Sequence, residues 1–303
     1  MSDWGQGSKN NNIGWGQGAV NNSINWGLSH SESWSGDTDI LGEVIDNRLI
    51  FSVKTDNAGT SATNQFTIPT TGTGYLYDIE TSDGQTITGL TGGTTITFPS
   101  AGTYDVYISG SFPRFYFNNV GDRLKLIDLK NFGIYAQGST SQASAFFGCA
   151  NLIISATDTG LFENVTNFSS TWQNCPSLIS FPLIDTSAGA NFNSAWFNCS
   201  SLTSFPLLDT SAGTNFGSAW YRCLSLTSFP ANAFDTNIAS NYASSFTSTK
   251  LSTQSIDNIL VSLDASGVLN GTFNQSGGGN LPSAVGLAAK ANLISKGWTI
   301  TTN

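Results

Sequence analysis

Residues 198–230 read NCSSLTSFPLLDTSAGTNFGSAWYRCLSLTSFP, and within them CSSLTSFP returns almost unchanged as CLSLTSFP after 24 residues. An internal period of 20 to 50 residues is typical of stacked repeats, in which each unit buries its apolar face against its neighbours. This stretch therefore decides the fold prediction for the chain.

The four cysteines of the chain define the extent of the repeat. They are spaced by 26, 24 and 24 residues, and each has an aromatic residue three positions before it and a leucine three positions after it. The cysteines are Cys149, Cys175, Cys199 and Cys223, the aromatic residues are Phe146, Trp172, Trp196 and Trp220, and the leucines are Leu152, Leu178, Leu202 and Leu226. A degenerate fifth copy, NYASSFTSTKL, lacks the cysteine.

The spacing inside one unit predicts a short helix. Phe192, Trp196 and Cys199 lie at positions i, i+4 and i+7, which is one face of an α-helix. A short extended segment that ends at Pro206 follows. Stacking such units predicts a leucine-rich-repeat-type solenoid over residues 119–252, closed by a C-terminal capping unit at 253–303.

Two other patterns flank the repeats. Alternating apolar residues, such as Tyr75, Tyr77 and Ile79, predict a small β-sandwich of the PKD or Ig-like kind over residues 39–118. Its six candidate strands are residues 49–54, 64–68, 75–81, 94–98, 103–109 and 112–118. Helical periodicity predicts two helices in the capping unit, and WTIT at the C-terminus predicts a last strand. The predicted fold class is therefore mixed α/β and multidomain.

A separate repeat occupies residues 1–38. Trp4, Trp15 and Trp26 are spaced 11 residues apart, and Trp34 follows in the same Gly- and Asn-rich segment. Such a segment lacks the apolar residues that a core of its own would need. We expect an extended arm whose tryptophans fill pockets of a partner, and the alternative is a flexible linker with incidental tryptophans.

The cysteines and the periodic aspartates of the repeats could serve either a chemical or a structural role. The chain has one histidine and no CxxC pair, so we expect buried free thiols rather than a metal site. Disulfides between units are the alternative. Asp185, Asp209 and Asp235 could form a carboxylate row for acid–base chemistry. Their repeat-phased DT turns favour structural caps, so we expect neither an enzyme nor a cofactor.

The composition of the chain argues against some classes of partner. The net charge of −9 and the pI near 4.3 argue against nucleic acid or an anionic membrane as a partner. The sequence has no run of 18 apolar residues, so membrane insertion is not expected. It also has no signal-peptide pattern, so we expect synthesis in a cytoplasm without export.

The segments GTYDVYISGSFPRFYFNNVGDRLKLIDLKNFG, AFFGCANL and NVTNFSSTWQNCPSL carry a family resemblance. They resemble BspA-like leucine-rich-repeat surface proteins with a PKD-like domain, of the kind found in bacteriophage virion fibre proteins. The position where PKD domains have WGDG reads TSDG here, a departure from that subfamily's pattern. The resemblance implies surface adhesion rather than catalysis, and it implies a symmetric homo-oligomer such as a trimer.

These observations favour a phage virion fibre or decoration protein. The arm at 1–38 would attach to other virion proteins, and the repeats would be displayed for binding to a host cell-surface glycan or protein. The alternatives are an exported bacterial BspA-like surface adhesin and a glycan-cleaving enzyme, which would require a carboxylate pair in a cleft.

The candidate ligand residues are those that break the sameness of the repeat. Phe197 and Tyr221 stand two positions before a cysteine, and Arg222 stands where other units have glycine or asparagine. Their variability suggests a ligand surface, while solvated or packing-edge residues are the alternative.

Overall fold

The computed structural model describes residues 46–303. The predicted attachment arm, with Trp4, Trp15, Trp26 and Trp34, lies outside the described residues.

The first half of the described chain is built from strands that pair antiparallel, with one exception. Their bounds are β1 Leu49–Lys54, β2 Gln65–Ile68, β3 Leu76–Thr81, β4 Thr86–Leu90, β5 Thr94–Thr97, β6 Thr103–Ser111, β7 Leu126–Asn131 and β8 Ile153–Ile154. One open sheet has the order β4-β3-β6-β1-β7-β8, in which β8 pairs with β7 in parallel, and β2 pairs with β5 in a second sheet. The rings of Phe51 and Phe66, 5.9 Å apart, link the two sheets through buried aromatic packing. The strands predicted near β1, β2, β3, β5 and β6 are confirmed, whereas the strand predicted at 112–118 is absent from the described sheets and β4 was missed.

The repeats form stacked turns. Parallel bridges at equivalent positions join each unit to the next, from Ser141 through Asn167, Asn191 and Asn215 to Asn241, and Ser204 and Ser228 form a further bridge. Three aromatic rows run through the stack with successive ring centroids 4.8–5.7 Å apart. The rows are Phe168, Phe192, Phe216 and Tyr242; Trp172, Trp196, Trp220 and Phe246; and Phe181, Phe205 and Phe229. This spacing is close to the distance between hydrogen-bonded strands, so one hydrogen-bonded layer sets the distance between the rings.

Helices occur only in the C-terminal part of the described residues. Helix α1, Thr253–Ala265, starts at Ser252, whose hydroxyl accepts a hydrogen bond from the Ser255 amide. Helix α2 is Ala284–Ser295. The parallel strands β9 Asn241–Tyr242, β10 Thr272–Gln275 and β11 Thr299–Thr302 form the last sheet. Both predicted helices and the predicted last strand are confirmed.

The prediction of a mixed α/β fold with a leucine-rich-repeat-type solenoid is wrong. The described residues are chiefly β, with open sheets and turns, and their only helices are the 13 residues of α1 and the 12 residues of α2. The predicted helix through Phe192, Trp196 and Cys199 is absent because Ser194 and Asn198 have φ values of 56° and 58°. A left-handed residue at every fourth position interrupts helix propagation.

Candidate ligand-binding surface

The backbone of each unit is held by two alternating sets of hydrogen bonds. The amides of Ala195 and Cys199 donate to carbonyls three residues earlier, at 3.1 Å in both cases. The amides of Trp196 and Asn198 instead donate to the next unit, to Ala219 at 2.9 Å and Tyr221 at 2.7 Å. One half of the amides closes turns and the other half joins units, so the stack is a turn-built equivalent of a parallel ladder.

The left-handed positions orient the side chains at the surface. Asn174, Asn198 and Arg222 occupy equivalent positions with φ of 58° to 60°. Asparagine is among the residues that tolerate this conformation, and Asn198 Nδ2 also donates to Asn174 Oδ1 at 3.1 Å. Arg222 departs from that pattern, since its exposed side chain forms no hydrogen bond or ion pair with any residue in 46–303.

Phe197 and Tyr221 form a stacked aromatic pair next to these positions. Their ring centroids are 5.0 Å apart with an interplanar angle of 18°, and both side chains are half-buried. The preceding unit has Gln173 at the same position. Arg222 follows Tyr221 directly in the chain, and we call Phe197, Tyr221 and Arg222 the aromatic–arginine patch.

The aromatic–arginine patch contains side chains that are common in protein interfaces. Tyrosine and arginine are the residue types that most often carry binding energy at protein interfaces. A flat ring pair presents an apolar face, and the Arg222 guanidinium adds a charge with several donors. Such groups can contact a partner by stacking and hydrogen bonding.

The four cysteines lie in the core of the stack. All four cysteines are buried and free, which confirms their predicted place in the core. Burial raises the pKa of the Cys199 thiol to about 12, and its Sγ–H donates to the Trp172 carbonyl at 3.1 Å. Because thiolate is the reactive form, this group is unreactive at neutral pH.

The periodic aspartates lie in turns. Asp185 and Asp209 each accept a hydrogen bond, at 2.9 Å, from the amide two residues further on. Hydrogen bonds from Ser211 lower the pKa of Asp209. Asp235 instead accepts from the Ser262 hydroxyl of α1. The structure thus places these carboxylates in Asx turns and at a contact with α1.

Neither a metal site nor a membrane-spanning helix is found in the part of the chain that the structure describes. Within residues 46–303, no group of three or more His, Cys, Asp or Glu side chains is placed to hold a metal ion. Neither described helix is long and apolar enough to cross a membrane.

Sequence reasoning missed one feature, a polar cleft beside Arg114. No sequence signal marks it, because Arg114 lies in the irregular segment after β6 and most of the other lining residues come from two distant loops.

Comparison with protein-family models, with curated proteins and with solved structures gives no match to this chain. The resemblance to BspA-like surface proteins therefore stays an expectation from the sequence.

Proposed function

We propose that this chain is a structural fibre or decoration protein of a bacteriophage virion, made in the host cytoplasm, which displays its stacked repeats for binding to the host surface. The observation that carries the binding role is the aromatic–arginine patch. Its rings stack at 5.0 Å and remain partly accessible to solvent, in units whose other large aromatic residues are buried.

The repeats suit such a display role for a physical reason. Each unit takes its core from in-phase residues such as Trp196 and Cys199, both at most 1% exposed. The surface positions contribute little to that core, so they can vary while the stack is retained. Binding specificity can therefore change without refolding the protein.

The attachment role rests on the sequence of the arm at residues 1–38. Three tryptophans at an 11-residue period are suited to partner pockets at a matching spacing. A buried interface tryptophan is often worth about 2 kcal/mol or more, and three in series add through avidity. The partner would be another virion protein.

Host-surface binding is tested with a double variant of the patch. Phe197→Ala with Tyr221→Ala should abolish binding of the purified protein to host cells, measured by flow cytometry of the labelled chain. The matched control is Leu183→Ala with Leu207→Ala, which removes two exposed apolar side chains one unit apart. Equal loss with both variants, or binding by neither the parent nor the variants, would contradict the binding role.

Attachment is tested separately in the full chain. Changing Trp4, Trp15 and Trp26 to Ala should leave a folded protein that no longer joins purified particles, as judged by immunoblot of those particles. The Leu183/Leu207 variant again serves as the control and should join normally. If the triple variant is still present on particles, the arm is not the attachment device.

A further inference from the structure

A cleft of about 540 Å³ lies between three loops of the described chain. One wall is the loop from Thr71 to Gly74, the second is the segment around Arg114, and the third is the turn at residues 137–141. Organic ligands typically occupy pockets of roughly 300–1,000 Å³, so this cleft is large enough for more than a single inorganic ion.

Two buried side chains fix the walls of the cleft. The Tyr75 hydroxyl donates to the Arg114 carbonyl at 2.8 Å and accepts from the Thr71 amide at 3.4 Å, which joins the first wall to the second. Gln142 is fully buried, and its Nε2 donates to the Pro113 carbonyl at 2.9 Å and the Ser139 hydroxyl at 3.1 Å, which joins the second wall to the third. The cleft is therefore a preformed feature of the fold.

Arg114 supplies the charge of the cleft. Its Nη1 donates to the carbonyl and hydroxyl of Ser141, at 3.0 and 3.2 Å, while its Nε is buried without a hydrogen-bond partner among the described residues. The guanidinium carbon lies 4.9 Å from the centre of the Tyr116 ring, which holds the plane in place. Its Nη2 forms no hydrogen bond with any residue in 46–303, so this guanidinium has donor capacity left on Nη2.

The surroundings of Arg48 differ from those of Arg114 in their ion pairs. Arg48 also lies over a tyrosine ring, at 4.6 Å from Tyr107, but it forms ion pairs with Asp46 and Glu80, each at 2.7 Å. No described carboxylate forms an ion pair with Arg114, and none lines the cleft, although the chain has 20 acidic residues against 11 basic ones. Among residues 46–303, no carboxylate completes the same arrangement at Arg114, so its guanidinium can accept a carboxylate from a ligand.

We propose that this cleft binds a sugar that carries a carboxylate, such as a hexuronic acid unit. Arginine is the side chain best suited to a carboxylate, because its planar donors match the two oxygens. The rest of the lining is rich in hydroxyl groups, which suits the hydroxyls of a sugar ring. They belong to Thr71, Thr73, Ser111, Ser139, Thr140 and Ser141. The inference uses other residues than the aromatic–arginine patch and does not rest on the proposed function.

The ligand class is tested by titrating the full-length protein with four probes at low salt. Glucuronic acid is the acidic sugar, glucose is its neutral match, acetate supplies the carboxylate alone, and inorganic phosphate is the competing anion. NMR shifts of the Gly72 and Gly138 amides report the binding. Glucuronic acid should bind at least about tenfold more tightly than each of the other three, since a charged hydrogen bond and the sugar contacts both contribute. Equal binding of glucose, of acetate or of phosphate would overturn the proposal, as would binding of none of the four.

Two variants locate the site. Arg114→Gln should weaken glucuronic acid binding by about tenfold or more, whereas Arg48→Gln, its matched control, should leave the binding unchanged. Gly138→Asn keeps Arg114 and narrows the cleft. Asparagine tolerates the φ of 67° at that position, and a Cβ there meets no atom within 4 Å, so this variant should fold. It should also bind glucuronic acid less tightly, and unchanged binding by both Arg114→Gln and Gly138→Asn would contradict the site.

Discussion

The repeat stack and helix α1 contain the same apolar spacing but have different backbones. Phe192, Trp196 and Cys199 lie at i, i+4 and i+7, and so do Ile256, Leu260 and Leu263. All six are buried, yet the first set lies on consecutive turns and the second on an α-helix.

The difference comes from the residues between the apolar ones. Ser194 and Asn198 take left-handed φ values, whereas no residue of α1 does. In α1 the Ile256 amide donates four residues back to the Ser252 carbonyl, at 3.0 Å, while in the stack the Trp196 amide donates to the next unit. Side-chain periodicity alone therefore does not distinguish a helix from a series of four-residue turns, since both place every fourth side chain on one side.

The largest expected effect is the loss of one ring from the middle of an aromatic row. Trp196 stacks between Trp172 at 5.7 Å and Trp220 at 5.4 Å, so Trp196→Ala removes contacts with two neighbouring units. It should lower the free energy of unfolding by about 3–5 kcal/mol, measured by urea denaturation followed by circular dichroism. Leu207→Ala, at a side chain that is 52% exposed, is the control and should change it by no more than about 0.5 kcal/mol. Equal midpoints for both variants would contradict the stacked core.

Glycine substitutions should have different effects on stability in the repeat stack and in helix α2. Ser194 has a φ of 56°, which glycine adopts without strain, so Ser194→Gly should leave the free energy of unfolding unchanged or raise it by up to about 1 kcal/mol. Ala288 is exposed inside α2, so Ala288→Gly should lower it by about 1 kcal/mol. Denaturant midpoints of the two variants measure the difference, and a loss of stability with Ser194→Gly would indicate a helical backbone at that position.

The smallest expected effect is electrostatic and belongs to the helical region. Lys296 Nζ donates to Asp264 Oδ1 at 2.6 Å, and burial opposes ionisation of Asp264, but the hydrogen bonds from Lys296 and Asn292 outweigh it and lower the pKa. A lowered folded-state pKa stabilises the protein above the ordinary value of 3.8, and this stabilisation is lost as the pH falls below it.

Asp264→Asn measures this contribution. The variant should reduce the free energy of unfolding by less than about 1 kcal/mol at pH 7, because the pair is partly solvated, and the difference from the parent should vanish at low pH. Urea denaturation at pH 7 and again well below the ordinary carboxyl pKa provides the comparison. A difference that grows on acidification would show that the sign is wrong.

The sequence was sufficient for features that depend on burial and alternation. In-phase Trp172, Trp196 and Trp220 predicted the buried row, and the alternation of Tyr77 and Ile79 predicted β3. Backbone conformation was harder to predict, because serine and asparagine occur at left-handed positions without the glycine that would signal them. Of the candidate site, the position of Phe197, Tyr221 and Arg222 at the surface could be predicted from their phase, but their stacking could not, since it depends on the distance between units.

Trans-hydrogen-bond scalar couplings in the deuterated protein test the central claim most directly, because they identify the carbonyl to which each amide donates. We expect a coupling from the Trp196 amide nitrogen to the Ala219 carbonyl carbon, across the 2.9 Å bond between neighbouring units. A coupling from the Trp196 amide to the Phe192 carbonyl, as in an α-helix, would contradict it.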